Sequence, residues 1–478
     1  MELPTLTFLA GSYRDRTARV FVHERQIYRA LDAEAAGYWA EVSQSSFFTE
    51  LSSQQKLVET REVADDQRAT LGVPADVATV LWHERVPFIA YPYEWCFGML
   101  KDAALLHLEI LAAALRDGFI LKDATPYNIQ FVGRKPVFID IGSFTKLTPG
   151  EPWTAYQQFC ELFLCPLLVQ AHRGIDFQLV LRSELEGLGA EDVSRWFSWR
   201  DWWRSGVFSH VILHALLAKV TKKQTRSTLN ELQKTGFPVS LILKNVERLT
   251  QLIQKLKWEP PQSMWSDYDQ SSPMVARDAD AKADFVRETA QERRWELVWD
   301  LGCNRGRYSL IAAEFAQCVL AMDSDHQCVE WLYRQLREHG PNNVVPLRIN
   351  LANQSPALGW RGRERLRLED RGQPDLILCL GLIHHLVIAA NIPLAEVVDW
   401  LASFHATLVI EFPTKNDPMV QALLRNKRDQ YHDYSQAHFE SLLADRFRID
   451  QRLALPSGER FLYRVIPLTE TRAHDGLR

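Results

Sequence analysis

Between residues 296 and 412, five short apolar runs alternate with amphipathic stretches, and this rhythm limits the possible folds more than any other feature of the chain. The runs cover 296–301, 318–323, 344–349, 375–380 and 407–412. Runs of this length, rich in Leu, Val and Ile, read as strands buried on both faces. Helical spacing between them implies right-handed crossovers, hence a parallel sheet with helices on both sides. Two further runs, 446–453 and 460–466, are joined by Pro456-Ser457-Gly458 and read as a hairpin. The expectation for 263–478 is a doubly wound α/β domain with a mostly parallel seven-stranded sheet and an antiparallel hairpin tail.

The preceding residues, 257–273, hold Pro260 and Pro261, which deny both helix and central strand, and then a polar stretch. A domain boundary is expected near 262. Before it, 18–30 alternates like strand. Residues 101–118 read as a buried helix through Ala104, Leu105, Leu108, Leu111, Ala112 and Leu115. A strand–turn–strand unit is expected over 119–141, and helices over 153–256. The first half is thus expected to be α+β.

With 478 residues the chain needs more than one core. Its formal net charge of −5 argues against attraction to nucleic acid or an anionic membrane. Seven cysteines include no C-x-x-C pair, which reads as reduced thiols without zinc spacing. The N-terminus lacks a basic flank before an apolar core, and the longest apolar stretch, 376–390, is too short for a bilayer and carries His384 and His385. A cytoplasmic protein with no membrane and no nucleic-acid partner is expected.

The first strand of the α/β half runs into Asp300-Leu301-Gly302-Cys303-Asn304-Arg305-Gly306. Gly302 and Gly306 let the backbone turn sharply and come close to a ligand at a helix N-terminus. Asp323 closes the second strand, where a carboxylate can accept both hydroxyls of a ribose. Asp300 would repel a pyrophosphate but suits a cationic sulfonium and an amino group. With these residues in place, the segment from about 265 to 467 resembles the class I S-adenosylmethionine-dependent methyltransferase family. The resemblance implies that Asp300, Gly302, Asn304 and Gly306 hold the methionine half and Asp323 the ribose. Asn350 and Leu351 stand where the family contacts adenine. The family often has an acid there; Asn350 can still hydrogen-bond the adenine amine. The competing reading is an α/β domain for another nucleotide.

The fourth and fifth strands end at His384-His385 and Glu411, on the edge expected to face the cofactor. A methyl acceptor such as a hydroxyl must lose its proton, so His385 and Glu411 are candidate bases. Packing or helix capping is the plainer reading of each, and some methyltransferases position the acceptor without a base. The acceptor is expected to be a hydroxyl or amine of a small molecule or saccharide. The Pro-Pro signature of adenine-N6 methylation is absent after the fourth strand. The run 361–371 mixes arginines with Glu364, Glu369 and Asp370 and reads as a solvated loop or helix. Trp265 and Tyr268 could cover the cofactor or pack between domains.

In the first half, Asp123, Asn128 and Asp140-Ile141-Gly142 have the spacing that positions a metal and a hydroxyl for phosphoryl transfer. The segment resembles the catalytic and metal loops of kinase-like phosphotransferases. That resemblance implies Asp123 as base, Asn128 and Asp140 as magnesium ligands, and Mg-ATP as cofactor. Lys122 and Ile141 depart from the family pattern, Gly11-Ser12-Tyr13 is no phosphate loop, and Lys56 and Lys101 lie outside any clear strand. Three readings stand: an inactive kinase-like module binding a substrate or protein partner, an active phosphotransferase making the chain bifunctional, or coincidence.

Overall fold

Alternation in 18–30 resolves into a hairpin. Strands β1 (Ala18–His23) and β2 (Gln26–Leu31) pair antiparallel, from Ala18 opposite Leu31 to His23 opposite Gln26. Glu24 and Arg25 between them both have positive φ (48° and 66°), the turn geometry that matches strand twist. This description comes from a computed structural model that covers residues 8–74, 76–216, 237–259, 273–425, 427–428 and 430–468. The expected boundary near 262, with Pro260, Pro261, Trp265 and Tyr268, lies outside the described residues.

The chain divides into two units, one of 1–260 with 356–366 and one of 261–355 with 367–478. In the first, β3 (Thr60–Glu62) and β4 (Thr79–His83) complete an antiparallel sheet in the order β1-β2-β4-β3. Phe21, Ala30, Leu71, Val77 and Val80 form its core. The helix Ala33–Val42 follows β2 and is capped by Asp32, whose side chain accepts from Ala35 N. The expected buried helix spans Phe97–Arg116. Lys101 Nζ on this helix donates to Gln254 O (2.9 Å) and Leu256 O (2.8 Å), at the carbonyl end of the helix Val239–Lys255. A cation there satisfies carbonyls that lack helical partners.

Two short ribbons then nest. Strand β5 (Phe119–Leu121) is followed by β6 (Ile129–Val132), β7 (Lys135–Phe138) and β8 (Phe144–Lys146); β5 pairs with β8, and β6 with β7. Nesting runs the two connecting loops side by side. Ile139 N donates to Asn128 O and Lys122 N to Ser143 O, both at 2.9 Å.

The second unit holds all seven expected strands, with ends moved by one or two residues. They are β9 (Trp295–Leu301), β10 (Ala316–Asp323), β11 (Val344–Arg348), β12 (Leu376–Cys379), β13 (Thr407–Pro413), β14 (Phe447–Ala454) and β15 (Arg460–Pro467). Their order is β11-β10-β9-β12-β13-β15-β14. Pairs from β11 through β13 are parallel, and β15 is antiparallel to both its neighbours. Residues of β12 are buried on both faces, as crossover helices require. The chain leaves β9 toward β11 and comes back to β12, so the carboxyl ends of β9 and β12 flank the switch point where such sheets bind ligands.

The run 361–371, read as a solvated loop or helix, is largely exposed but has a buried anchor. Residues 361–366 belong with 356–360 to the first unit; Arg361, Arg363 and Leu366 are exposed, but Glu364 between them is not. Glu364 is buried. Its carboxylate accepts from Tyr13 Oη (2.6 Å), Arg14 Nη2 (2.9 Å), Arg14 Nε (3.1 Å) and Trp360 N (2.8 Å). Leu366 N donates to Tyr91 Oη at 2.8 Å, and the Arg365 guanidinium lies 4.0 Å from the Tyr127 ring centre. All seven cysteines are buried, and none forms a disulfide. Among the described residues no helix is long and apolar enough to cross a membrane.

Candidate cofactor and acceptor site

Gly302 and Gly306 take left-handed angles (φ 77° and 80°), and Asn304 between them has φ 49°. A Cβ on Gly306 would stand 2.7 Å from Leu332 Cδ1, so both conformation and space call for glycine. The turn is laced to β10: Gly302 N and Cys303 N both donate to Met322 O at 2.9 Å, and Asn304 N to Asp323 Oδ2 at 2.8 Å. Asp325 N donates to Asp323 Oδ1, also at 2.8 Å. Each Asp323 oxygen thus holds a backbone donor and keeps acceptor capacity to spare. Burial, outweighing these hydrogen bonds, raises the Asp323 pKa.

Asp300 is fully enclosed beneath the turn, where Ser309 Oγ donates to its Oδ2 at 2.5 Å. Burial pushes its pKa up to about 7 despite that bond, and the charge of Asp323 adds to the rise. The structure therefore groups Asp300, Gly302, Asn304, Gly306 and Asp323 around one turn. Asn350 and Leu351 follow β11, the strand next to β10. Asn350 is exposed and its Oδ1 accepts from Ala352 N at 3.0 Å; Leu351 is buried.

Past β12, a π-helical turn covers His385–Ala389. His384 is buried and its ring centre lies 4.2 Å from that of His385, which is half-buried. Burial and the nearby Arg460 charge lower the His385 pKa, so the imidazole is neutral near pH 7 and able to take a proton. Glu411 is placed differently from what a base requires. It is wholly buried between Lys282 Nζ (2.8 Å) and Arg460 Nη1 (3.0 Å). Arg460 also holds Asp417 through Nε (2.6 Å) and Nη2 (3.1 Å). Burial would raise the Glu411 pKa, but the two cations outweigh it and hold it below the ordinary value. A carboxylate so compensated is a poor proton acceptor, and the geometry makes it the centre of a closed ion quartet.

In the first unit, Asp123 and Asn128 lie on the loop after β5, and Asp140 on the adjoining loop before β8. Burial raises the Asp123 pKa and the Asp140 charge adds to it. Asp140 does not stand open for a metal: Arg29 Nη1, from β2, meets its Oδ1 at 2.7 Å, and the Arg29 side chain is almost fully buried. No group of three or more His, Cys, Asp or Glu among the described residues is arranged to hold a metal ion. Sequence reasoning missed Ser309, Lys282, Arg460 and Arg29. Only Arg29 left a trace, as a charge between Ile27 and Leu31 on one face of an otherwise apolar alternation.

No family model matches the chain. Solved structures similar to part of it include the N-methyltransferase NodS from Bradyrhizobium japonicum WM9, at 10% identity over 42% of this chain and 98% of that one, with a TM-score of 0.30. Magnesium protoporphyrin IX methyltransferase from Synechocystis PCC 6803 matches at 18% identity over 44% of this chain and 86% of that one, with a TM-score of 0.29. Similarity over the full length comes from the nodulation protein NoeA of Rhizobium meliloti (strain 1021). It is 33% identical over 457 residues, which is 95% of each chain. On that extent of shared sequence, the chain belongs to the family of the nodulation protein NoeA.

Proposed function

We propose that the second unit transfers a methyl group from S-adenosylmethionine to a hydroxyl or amine of a small molecule or saccharide. The observation that carries this reading is the glycine turn laced to Asp323 at the carboxyl ends of adjacent parallel strands. The residues suit the cofactor: Asp323 has acceptor capacity for a ribose diol, and the closely packed Gly302–Gly306 turn leaves backbone next to the ligand rather than side chains. Asp300, with a pKa near neutrality, gains charge at little cost when a cation arrives. The cofactor supplies an electrophilic methyl on a sulfonium. The chain's own part is to orient the acceptor against it and, through neutral His385, to receive the acceptor's proton. Isothermal titration with S-adenosylhomocysteine tests the proposal. Binding that Asp323→Ala abolishes is expected; no binding by the wild-type protein refutes it.

For the first unit the reading is a kinase-like module without phosphotransfer, serving to bind the acceptor or a protein partner. Its support is the Arg29–Asp140 pair, which puts a guanidinium where a divalent cation would need the carboxylate. Mg-ATP is expected to leave the melting temperature unchanged. A shift that Asp140→Ala removes would restore the bifunctional reading.

A further inference from the structure

Three tryptophans stand on the surface within five residues. The short 3-10 helix Trp199–Trp203 leaves Trp199 68%, Trp202 42% and Trp203 90% exposed, and the ring centre of exposed Phe208 lies 6.2 Å from that of Trp202. Indoles displayed this way are costly to keep in water, so the turn that displays them is informative. It is rigidly built. Ser198 and Asp201 form a reciprocal cap, with Ser198 N (2.8 Å) and Oγ (2.7 Å) both donating to Asp201 Oδ2. Arg204 Nη1 donates to His172 O at 2.7 Å, and the His172 ring meets Ser205 O at 3.2 Å.

Charge is sorted across the same turn. Its one acid, Asp201, points inward, is 3% exposed, and is met by Arg204 (3.0 Å) and Arg173 (3.4 Å). Arg200 faces outward over the Trp199 ring at 5.4 Å and has no carboxylate partner among the described residues. Within the turn Trp199–Trp203, therefore, the outward side chains are indoles and a guanidinium, and Asp201 is withdrawn and compensated.

We infer that this turn docks the protein on an anionic lipid bilayer. Indoles favour the boundary between headgroups and acyl chains, and arginine is drawn to lipid phosphate. A bilayer accepts side chains that protrude as far as Trp203 without needing a shaped pocket. Because the turn is ordered beforehand, little conformational freedom is lost on docking. This departs from the expectation of no membrane partner, which rested on the net charge of the whole chain; at contact distance the nearest charges set the field and distant ones are screened.

The test is flotation of the full-length protein with phosphatidylcholine vesicles and with vesicles containing phosphatidylglycerol. The wild-type protein is expected to float with the anionic vesicles and less with the neutral ones. The Trp199→Ser/Trp203→Ser variant, checked for an unchanged melting temperature, should remain in the soluble fraction. Arg200→Gln should weaken partitioning about fivefold, the effect of one cation near the headgroups. Absence of the wild-type protein from the anionic vesicles would overturn the inference, as would equal flotation of the double variant. So would light scattering that finds a wild-type dimer which the double variant dissociates, because the occupant would then be a second copy.

Discussion

Replacing Glu411 by glutamine removes the central charge of the buried quartet and leaves its neighbours in place. Lys282, whose side chain is 10% exposed and 2.8 Å from Glu411, would lose its counter-charge, while Arg460 would keep Asp417. Breaking a buried pair on one side costs about 3–5 kcal/mol. For a domain of this size each kcal/mol moves the melting temperature by about 2–4 °C, so a fall of roughly 10 °C is expected. Calorimetry of Glu411→Gln, Lys282→Met and the double variant would measure the coupling, expected at about 2 kcal/mol or more. Buried charges are little screened, so added salt should leave the coupling almost unchanged. The folded-state pKa of Glu411 lies below its ordinary 4.5, so its contribution is complete above about that pH and fades as pH falls through the folded value. Wild type and Glu411→Gln should accordingly converge in acid. Additive single variants, or a gap that widens on acidification, would refute the quartet as described.

Three other perturbations have defined outcomes. His107 is fully buried among Trp153, Phe159 and Phe163 with neither ring nitrogen hydrogen-bonded, and burial takes its pKa down to about 3. The unfolded chain binds a proton there below about 6.5 and the folded one does not, so stability drains as pH falls from 6.5 toward 3. His107→Phe should remove that loss and gain about 1–2 kcal/mol at pH 5, read by urea titration. Asp300 shows the opposite sign. Its folded pKa near 7 exceeds the ordinary 3.8, so unliganded stability declines as pH rises from about 4 to 7. Asp300→Asn should abolish that decline and exceed the wild type by about 1–3 kcal/mol at pH 8 in the same titration. Gly306→Ala forces a side chain into left-handed backbone and against Leu332, at about 2–3 kcal/mol by denaturant titration, with loss of S-adenosylhomocysteine binding.

What the sequence disclosed was local. Each strand of the second unit is a bounded apolar run, and the glycine turn, Asp323 and the Pro456–Gly458 hairpin are all contained within short windows. The partners that decide the chemistry are not. Arg29 finds Asp140 111 residues away, and Arg460 finds Glu411 across 49. Periodicity carries no record of such pairings, so Glu411 read as a base when its neighbours make it an ion-pair centre. The 361–371 run hid one buried acid for the same reason. Its density of charge suggests solvent, yet the groups that satisfy Glu364 are Tyr13 and Arg14, some 350 residues earlier. Asp300, by contrast, was legible as an acid under the turn, though its proton was not.

The excursion of 356–366 also bears on how the polypeptide can be made. Tyr13 and Arg14 would lack their shared carboxylate in a fragment that ends at residue 260, because it arrives only with Glu364. On the ribosome the early half therefore waits, incomplete, until about a hundred more residues have emerged. Expression of that half alone should yield a less stable product unless the missing eleven residues are supplied as a separate peptide.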